Sequence, residues 1–178
     1  MKVLCRLIVV LGLMIGLFYA SVAKDKRLSA TLENAVFRKE TSSIEVDFVL
    51  TNTSTKAIYI AERWNSWGAY QWTIQLTNAD KSVIDFGNPQ SAWFRNFLSF
   101  ATIEPGKQLR THCFLMLDTS RLSGVFGKGE AFVAAKPGAV FSFPVRMTGV
   151  FAAKEAYTLK DKVSWTGSIE SGEIEVGK

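Results

Sequence analysis

The segment from Glu62 to Trp72 holds three of the five tryptophans of the chain within eleven residues. Trp64 and Trp67 fall in a polar stretch, whereas Trp72 belongs to an alternating segment and is expected in the core. Flat aromatic faces beside hydrogen-bonding side chains form platforms for a sugar ring or anchors for a protein surface. The candidate binding residues are therefore Arg63, Trp64, Asn65, Trp67 and Tyr70, together with Trp93 from a later, irregular segment.

The same tryptophans also have a structural interpretation. The loop can fold back and fill one end of the domain with indole, with Arg63 stacked on a tryptophan ring. Large aromatic side chains are mostly buried on average, so both interpretations stay open at this point. The exposure of Trp64 and Trp67 in the folded chain distinguishes them.

The histidine and cysteine content argues against nucleophilic and metal chemistry. His112 is the only histidine, and a catalytic triad needs a base within hydrogen-bond reach of its nucleophile. In a strand, Cys113 points to the face opposite His112, which predicts a buried structural thiol and a histidine at the surface or rim. Tetrahedral metal sites need three or four ligands, so we predict no metal, no cofactor and no nucleophilic catalysis.

Paired carboxylates are the catalytic alternative that the composition leaves open. Glycoside hydrolysis needs two of them about 5 to 10 Å apart in a cleft, and a domain of this size has little room for a deep cleft. We therefore predict a protein that is not an enzyme, with a small carboxylate-based hydrolase as the less favoured alternative. The acidic residues near predicted strand ends are Glu62, Asp85, Glu104, Asp118 and Glu130.

The N-terminus predicts export from the cytoplasm. Lys2 and Arg6 precede the apolar run Leu7 to Phe18, and Ser21-Val22-Ala23 places small residues where a signal peptidase cleaves. These twelve apolar residues are too few for a membrane span, which needs about 20. A signal peptide over residues 1–23, cleaved after Ala23, and a secreted or periplasmic product without a membrane span are predicted. An uncut N-terminal membrane anchor is the alternative, because positive charges just past the run resist translocation.

The remaining 155 residues, 24–178, suit a single domain. They carry 19 basic and 16 acidic residues, a net charge of +3, without a basic run that would track a phosphate backbone. Nucleic acid is therefore a poor candidate partner. One cysteine remains, so no intrachain disulfide is expected and core burial must stabilise the fold.

Hydrophobic alternation predicts an all-β fold. Within Ser43 to Leu50, the apolar Ile44, Val46, Phe48 and Leu50 alternate with the polar Ser43, Glu45 and Asp47. It is expected to form a hairpin with the next strand through an exposed turn at Asn52-Thr53-Ser54, which also satisfies the N-glycosylation rule. Pro144 should mark a sheet edge or a bulge. About seven to nine short strands with almost no helical period indicate a two-sheet antiparallel sandwich. Beyond Ser43 to Leu50, the predicted strands cover residues 57–61, 70–76, 83–86, 109–117, 140–150, 163–169 and 174–176.

Three features together resemble an immunoglobulin-like β-sandwich. They are the alternating strand that ends Leu50-Thr51-Asn52, the Glu104-Pro105-Gly106 turn before a long strand, and the closing strand around Trp165. The resemblance covers most of residues 24–178 and implies an adhesion, carbohydrate-binding or purely structural role.

Two functions are consistent with these sequence features. The first is an exported binding domain whose tryptophan-rich loop, residues 62–72, contacts a glycan or a protein surface. The second is a structural or assembly module that acts through an unpaired sheet edge, as in strand addition.

Overall fold

A computed structural model describes residues 27–87, 97–117, 131–134 and 140–177. The predicted signal peptide, most of the irregular segment and its Trp93 lie outside the described residues. Within the described part of the chain, no helix is long and apolar enough to cross a membrane. The fold is all-β, as predicted, with several sheets, none of them closed.

The described residues form thirteen strands and one short helix. In chain order the elements are β1 (Leu28–Arg38), β2 (Ser43–Asn52), β3 (Ile58–Ala61), α1 (Ser66–Ala69), β4 (Trp72–Thr77), β5 (Val83–Gly87), β6 (Phe100–Ile103), β7 (Gln108–Met116), β8 (Ala131–Ala134), β9 (Val145–Ala153), β10 (Thr158–Leu159), β11 (Lys162–Val163), β12 (Gly167–Glu170) and β13 (Ile174–Val176).

Nine strands form the main sheet in the order β1-β2-β7-β8-β5-β4-β9-β12, and β13 also pairs with β9. Its ladders are antiparallel except for β7 with β8, which is parallel. Two small sheets, β3-β6 and β10-β11, are formed by the other described strands.

The two halves of the main sheet face each other across a common core. Phe48 of β2 contacts Trp72 of β4 edge to face, with ring centroids 5.1 Å apart. A side chain at Gly149 of β9 would collide with the Phe48 ring and with Leu32 of β1. Glycine at position 149 therefore allows the two layers to approach closely.

Strand β2 follows the predicted alternation. Ile44, Val46, Phe48 and Leu50 are fully buried, while the outward Asp47 is joined to β7 by its hydrogen bonds. Burial of one face fixes the register of a strand, and β2 accordingly pairs along its length with β1 and β7.

The predicted hairpin between β2 and β3 is wrong. Strand β3 pairs with β6 in a separate sheet, because both long edges of β2 are occupied and the Asn52 side chain redirects the chain. The Asn52 amide donates to the carbonyls of Lys56 and Ile103 at 2.8 and 2.7 Å and accepts from the Ser54 hydroxyl. Asn52 is fully buried, so its predicted place in an exposed, glycosylatable turn is also wrong.

Pro144 does not mark a sheet edge. It follows a cis peptide bond after Phe143 and immediately precedes β9, which is paired with β4 on one side and with β12 and β13 on the other. The lack of an N–H on proline is tolerated here because Pro144 lies before the first residue of the strand.

Strand β1 was not expected from the pattern. Its register with β2 shifts between Glu33 and Val36, and Asn34 has a positive φ of 55°. This irregularity interrupts the alternation, so the buried Leu28 and Leu32 do not continue into a regular apolar series.

Candidate functional site

Asn65 fixes the conformation of the tryptophan-rich loop. Its side-chain oxygen accepts from the backbone N–H groups of Trp67 and Gly68 at 3.1 and 3.0 Å, which caps the short helix α1. Its amide nitrogen donates to the Ser99 hydroxyl at 3.3 Å. Asn65 is fully buried, and the structure therefore places this candidate binding residue beneath the loop, where its side chain is occupied by these contacts.

Gly68 lets helix α1 pack directly on the end of β3. A Cβ atom at this position would lie closer than 3.0 Å to the carbonyl oxygens of Ala61 and Glu62. The Gly68 carbonyl also accepts from the Gln71 backbone N–H at 3.1 Å, which leads the chain into β4.

Trp64 is held in place and still exposed. Its indole Nε1 donates to the Glu62 carboxylate at 2.8 Å, and its ring meets Phe97 edge to face at 4.8 Å. The exposed fractions of Trp64 and Phe97 are 41% and 62%. The Glu62 carboxylate also accepts from the Ser99 hydroxyl, so both the polar edge and the flank of the indole are anchored.

An open pocket of about 310 Å³ adjoins Trp64. It lies between the end of β3, the start of β4 and one segment of β7. Among the described residues, its lining consists of Ala61, Glu62, Arg63, Trp64, Trp72, Ala101, Leu109, Arg110, Thr111 and His112. Side chains from four strands or strand ends thus converge on one concavity, which is the usual form of a small-ligand site.

Trp72 connects this pocket with the core. The side chain is only 2% exposed and packs on Phe48 and on Phe151, the latter at 4.8 Å. Its Nε1–H has no hydrogen-bond acceptor within the described part of the chain.

Arg63 reaches from the loop towards β7. Its guanidinium lies 4.0 Å from the Cys113 sulfur. Burial is the main cause that raises the pKa of the Cys113 thiol to about 12, and the side chain is fully buried. The prediction of a buried thiol is confirmed, and the thiol stays protonated at neutral pH, the form that is neither a nucleophile nor a metal ligand.

A charged network covers the outer face of β1, β2 and β7 beside the pocket. Asp47 accepts from Asn34 at 2.8 Å, from His112 at 2.9 Å and from Arg110 at 3.0 Å, and Arg110 also binds Glu33 at 2.7 Å. These bonds hold the pKa of Asp47 below its ordinary value of 3.8, and the bond from Asn34 has the largest effect. His112 lies at the surface, as predicted, with a side chain that is 48% exposed.

Asp47→Asn should lower the free energy of unfolding at pH 7 by about 1.5 kcal/mol, because hydrogen bonds to a charged carboxylate are weakened. Since the pKa of Asp47 is lowered in the folded state, the ionised carboxylate stabilises the fold above its ordinary value of 3.8 and this stability is lost as the pH falls through the folded value. Urea unfolding of the original protein and of Asp47→Asn at several pH values should show a difference in unfolding free energy that becomes smaller as the pH falls. A difference that stays constant down to pH 3 would contradict this account.

The other candidate residues lie elsewhere. Trp67 is half-buried, with its ring 6.5 Å from that of Tyr157, and Tyr70 is 55% exposed. Neither occurs among the described residues that line the pocket, and Trp93 lies outside the described residues. Of the predicted set, the structure brings Arg63 and Trp64 together at the pocket.

Sequence reasoning missed most of the pocket wall. The sequence marks Glu62 only as a carboxylate near a strand end. No local pattern on β7 between Leu109 and His112 indicates that this segment lines a pocket. These residues meet the loop because β3 pairs with β6 and β6 packs beside β7. Within the described ranges, no group of three or more histidine, cysteine or acidic side chains is placed to hold a metal ion.

Comparison of the chain with protein-family models, with curated proteins and with solved structures found no match.

Proposed function

We propose that the chain is an exported, non-catalytic binding domain that holds a glycan in the pocket beside Trp64. The observation that carries this proposal is the anchored but exposed Trp64 indole at a concavity lined by both apolar and polar residues. An immunoglobulin-like sandwich is part of the proposal, supported by the two facing layers of mainly antiparallel strands.

A sugar ring suits this surface because it has an apolar C–H face and a polar edge. The flat face of Trp64 can lie against the former, while hydroxyl groups reach the Thr111 hydroxyl and the charged side chains of the wall. The pocket volume of about 310 Å³ is at the lower end of small-ligand sites, which fits one or two sugar units.

The state of the ionisable groups supports binding without catalysis. The Glu62 carboxylate is held by the Trp64 indole and the Ser99 hydroxyl, and Asp47 is held by three donors on the outer face. The Cys113 thiol is protonated because burial raises its pKa to about 12. Each of these three groups therefore has a structural role that accounts for its presence without a catalytic function.

Trp64→Ala should weaken binding to an immobilised panel of neutral and acidic oligosaccharides by about tenfold or more, because an anchoring aromatic side chain contributes at least about 1.4 kcal/mol. The matched control is Tyr70→Ala, since Tyr70 is also aromatic and even more exposed than Trp64 but does not line the pocket. Glycan binding that survives Trp64→Ala unchanged, or a panel without any binder, would contradict the proposal.

A further inference from the structure

The pocket beside Trp64 lies at an edge of β7. Its lining includes four consecutive residues of that strand, Leu109, Arg110, Thr111 and His112. Successive side chains of a strand point to opposite faces of the sheet, so a concavity that touches all four adjoins the backbone edge of the strand. The main chain of β7 is therefore part of the pocket wall.

Within the described part of the chain, β7 is paired on both sides at one end only. Strand β2 pairs with it from Gln108 to Met116, whereas β8 pairs with it only from Phe114 to Met116. Among the described residues, no strand pairs with the stretch from Leu109 to His112 on the side opposite β2. The pocket therefore adjoins an open strand edge.

Two hydrogen bonds at the ends of the ladder between β2 and β7 show which backbone groups face this open edge. The Asn52 N–H donates to the Lys107 carbonyl at 3.0 Å, and the Leu117 N–H donates to the Ser42 carbonyl at 3.0 Å. Hydrogen-bonded pairs alternate with non-hydrogen-bonded pairs along an antiparallel ladder, so these two bonds determine the type of every pair between them.

Counted from either end of this ladder, the pairs of Val49 with Arg110 and of Asp47 with His112 are non-hydrogen-bonded. The backbone N–H and C=O groups of Arg110 and His112 therefore point away from β2, towards the open edge. Phe114, the next residue in the same series, pairs with β8 on that side, as this orientation requires.

The side chains of the same two residues are engaged on the outer face of the sheet. The Arg110 guanidinium binds Glu33 at 2.7 Å and Asp47 at 3.0 Å, and the His112 imidazole contacts Asp47 at 2.9 Å. Their contribution to a ligand in the pocket is therefore the main chain, with one donor and one acceptor from each residue. Along the strand the two residues are about 7 Å apart, close to the breadth of one sugar ring.

The hydroxyl edge of a neutral sugar matches this row of groups. A hydroxyl both donates and accepts, so adjacent hydroxyls can pair with N–H and C=O groups that alternate along a strand. A carboxylate only accepts and an ammonium group only donates. Either of them would leave part of the row without a partner, which is unfavourable in a site that excludes water.

An extended peptide is the other kind of ligand that pairs with an open strand edge. The register places outward groups of only two pocket residues, Arg110 and His112, on this edge, and β8 occupies the edge from Phe114 onward. The exposed Trp64 ring at the same pocket suits the C–H face of a sugar. A short edge beside an aromatic ring favours a sugar over a peptide strand.

We propose that the open edge of β7 recognises a neutral sugar, whose adjacent hydroxyl groups pair with the main-chain N–H and C=O groups of Arg110 and His112 while its ring lies on Trp64. This inference rests on the proposed function and specifies the ligand class and the groups that recognise it. Recognition through the main chain also fits the lack of any local sequence pattern for the pocket on β7.

Amide hydrogen exchange of the full folded protein tests this assignment without any substitution. In the absence of sugar, the N–H groups of Arg110 and His112 should exchange rapidly, while those of Leu109 and Thr111, which bond to β2, exchange slowly. A neutral oligosaccharide that binds in the immobilised panel, added at about ten times its Kd, should slow exchange at Arg110 and His112 by about tenfold. Slow exchange at both positions without sugar would overturn the inference.

His112→Pro removes one of the proposed donors, because proline has no N–H. The reference is His112→Ala, which also lacks the imidazole but keeps the N–H. His112→Pro should bind the same oligosaccharide about tenfold more weakly than His112→Ala, since one hydrogen bond is lost. Equal affinities of these two variants would overturn the inference.

Gln108→Pro is the matched control for His112→Pro. The Gln108 N–H points away from β2 in the same series, since Gln108 pairs with Thr51, but Gln108 does not line the pocket. Proline is tolerated at the first residue of a strand, so the affinity should stay within about twofold of the original protein. Thermal unfolding checks that each proline variant is folded.

The possible results separate this inference from the proposed function. Sugar binding that depends on Trp64 but leaves exchange at Arg110 and His112 unchanged would overturn the main-chain assignment while the proposed function stands. A panel without any binder would overturn both. The second probe is a hexapeptide of alternating valine and threonine, and protection of these two amides by the peptide but by no oligosaccharide would overturn the inference in favour of strand addition.

Discussion

Gly68→Ala is expected to lower the free energy of unfolding by about 3 kcal/mol and to remove glycan binding at the Trp64 pocket. The added methyl group would collide with the carbonyl oxygens of Ala61 and Glu62. Backbone atoms at the end of β3 cannot move aside as a flexible side chain can, so helix α1 and the loop before it must shift. Because that loop holds Trp64 against Glu62, the shift changes the pocket rim as well as stability.

Urea unfolding and the oligosaccharide panel together measure this effect. Gly172→Ala is the control, because a Cβ atom there meets nothing within 4 Å and the position lies between β12 and β13. Equal free energies of unfolding for Gly68→Ala and Gly172→Ala would contradict the close packing of α1 on β3.

The second large effect is expected for Asn52→Ala, which should also destabilise the fold by about 3 kcal/mol. The substitution leaves the buried Ile103 carbonyl without its amide donor and takes the acceptor from both the backbone N–H and the hydroxyl of Ser54. The bond to Ile103 joins the end of β2 to β6, and the two bonds from Ser54 hold the chain that follows β2. Their loss should loosen the small β3-β6 sheet that forms one side of the pocket.

Gln108→Ala serves as the comparison for Asn52→Ala, since the Gln108 amide makes an exposed hydrogen bond to the Thr51 hydroxyl at 3.3 Å. It should cost about 1 kcal/mol or less in urea unfolding. If Asn52→Ala lowers the free energy of unfolding by no more than this, the buried hydrogen bonds of Asn52 contribute little to stability.

The fold class was predictable because burial of one strand face leaves a period of two in the sequence. Strands β2, β4 and β7 follow that period, with buried residues at alternate positions. Pairing was less predictable, because it depends on contacts far apart in the chain. The amide of Asn52, for example, separates β2 from β3 through its bond to Ile103.

The candidate site was predictable only where its signal was local. The composition of the loop indicated Trp64 and Arg63, which line the pocket. Asn65 has the same polar character, but its side chain caps α1, a role that depends on the helix start that follows it. On β7, Arg110 and His112 alternate with Leu109, Thr111 and Cys113. This local pattern does not indicate the pocket, because the loop meets β7 only in the tertiary fold.

The most direct test of a glycan site at this pocket is a titration of the ¹⁵N-labelled domain with an oligosaccharide that binds in the immobilised panel, observed at the indole N–H signals. Assignment comes from single tryptophan-to-phenylalanine variants. The account predicts saturable shifts for Trp64 and Trp72, with Trp165, which stacks on Phe151 in the core at 5.5 Å, unchanged. Saturable binding that leaves the Trp64 and Trp72 signals in place, or a panel in which no oligosaccharide shifts any indole signal, would contradict it.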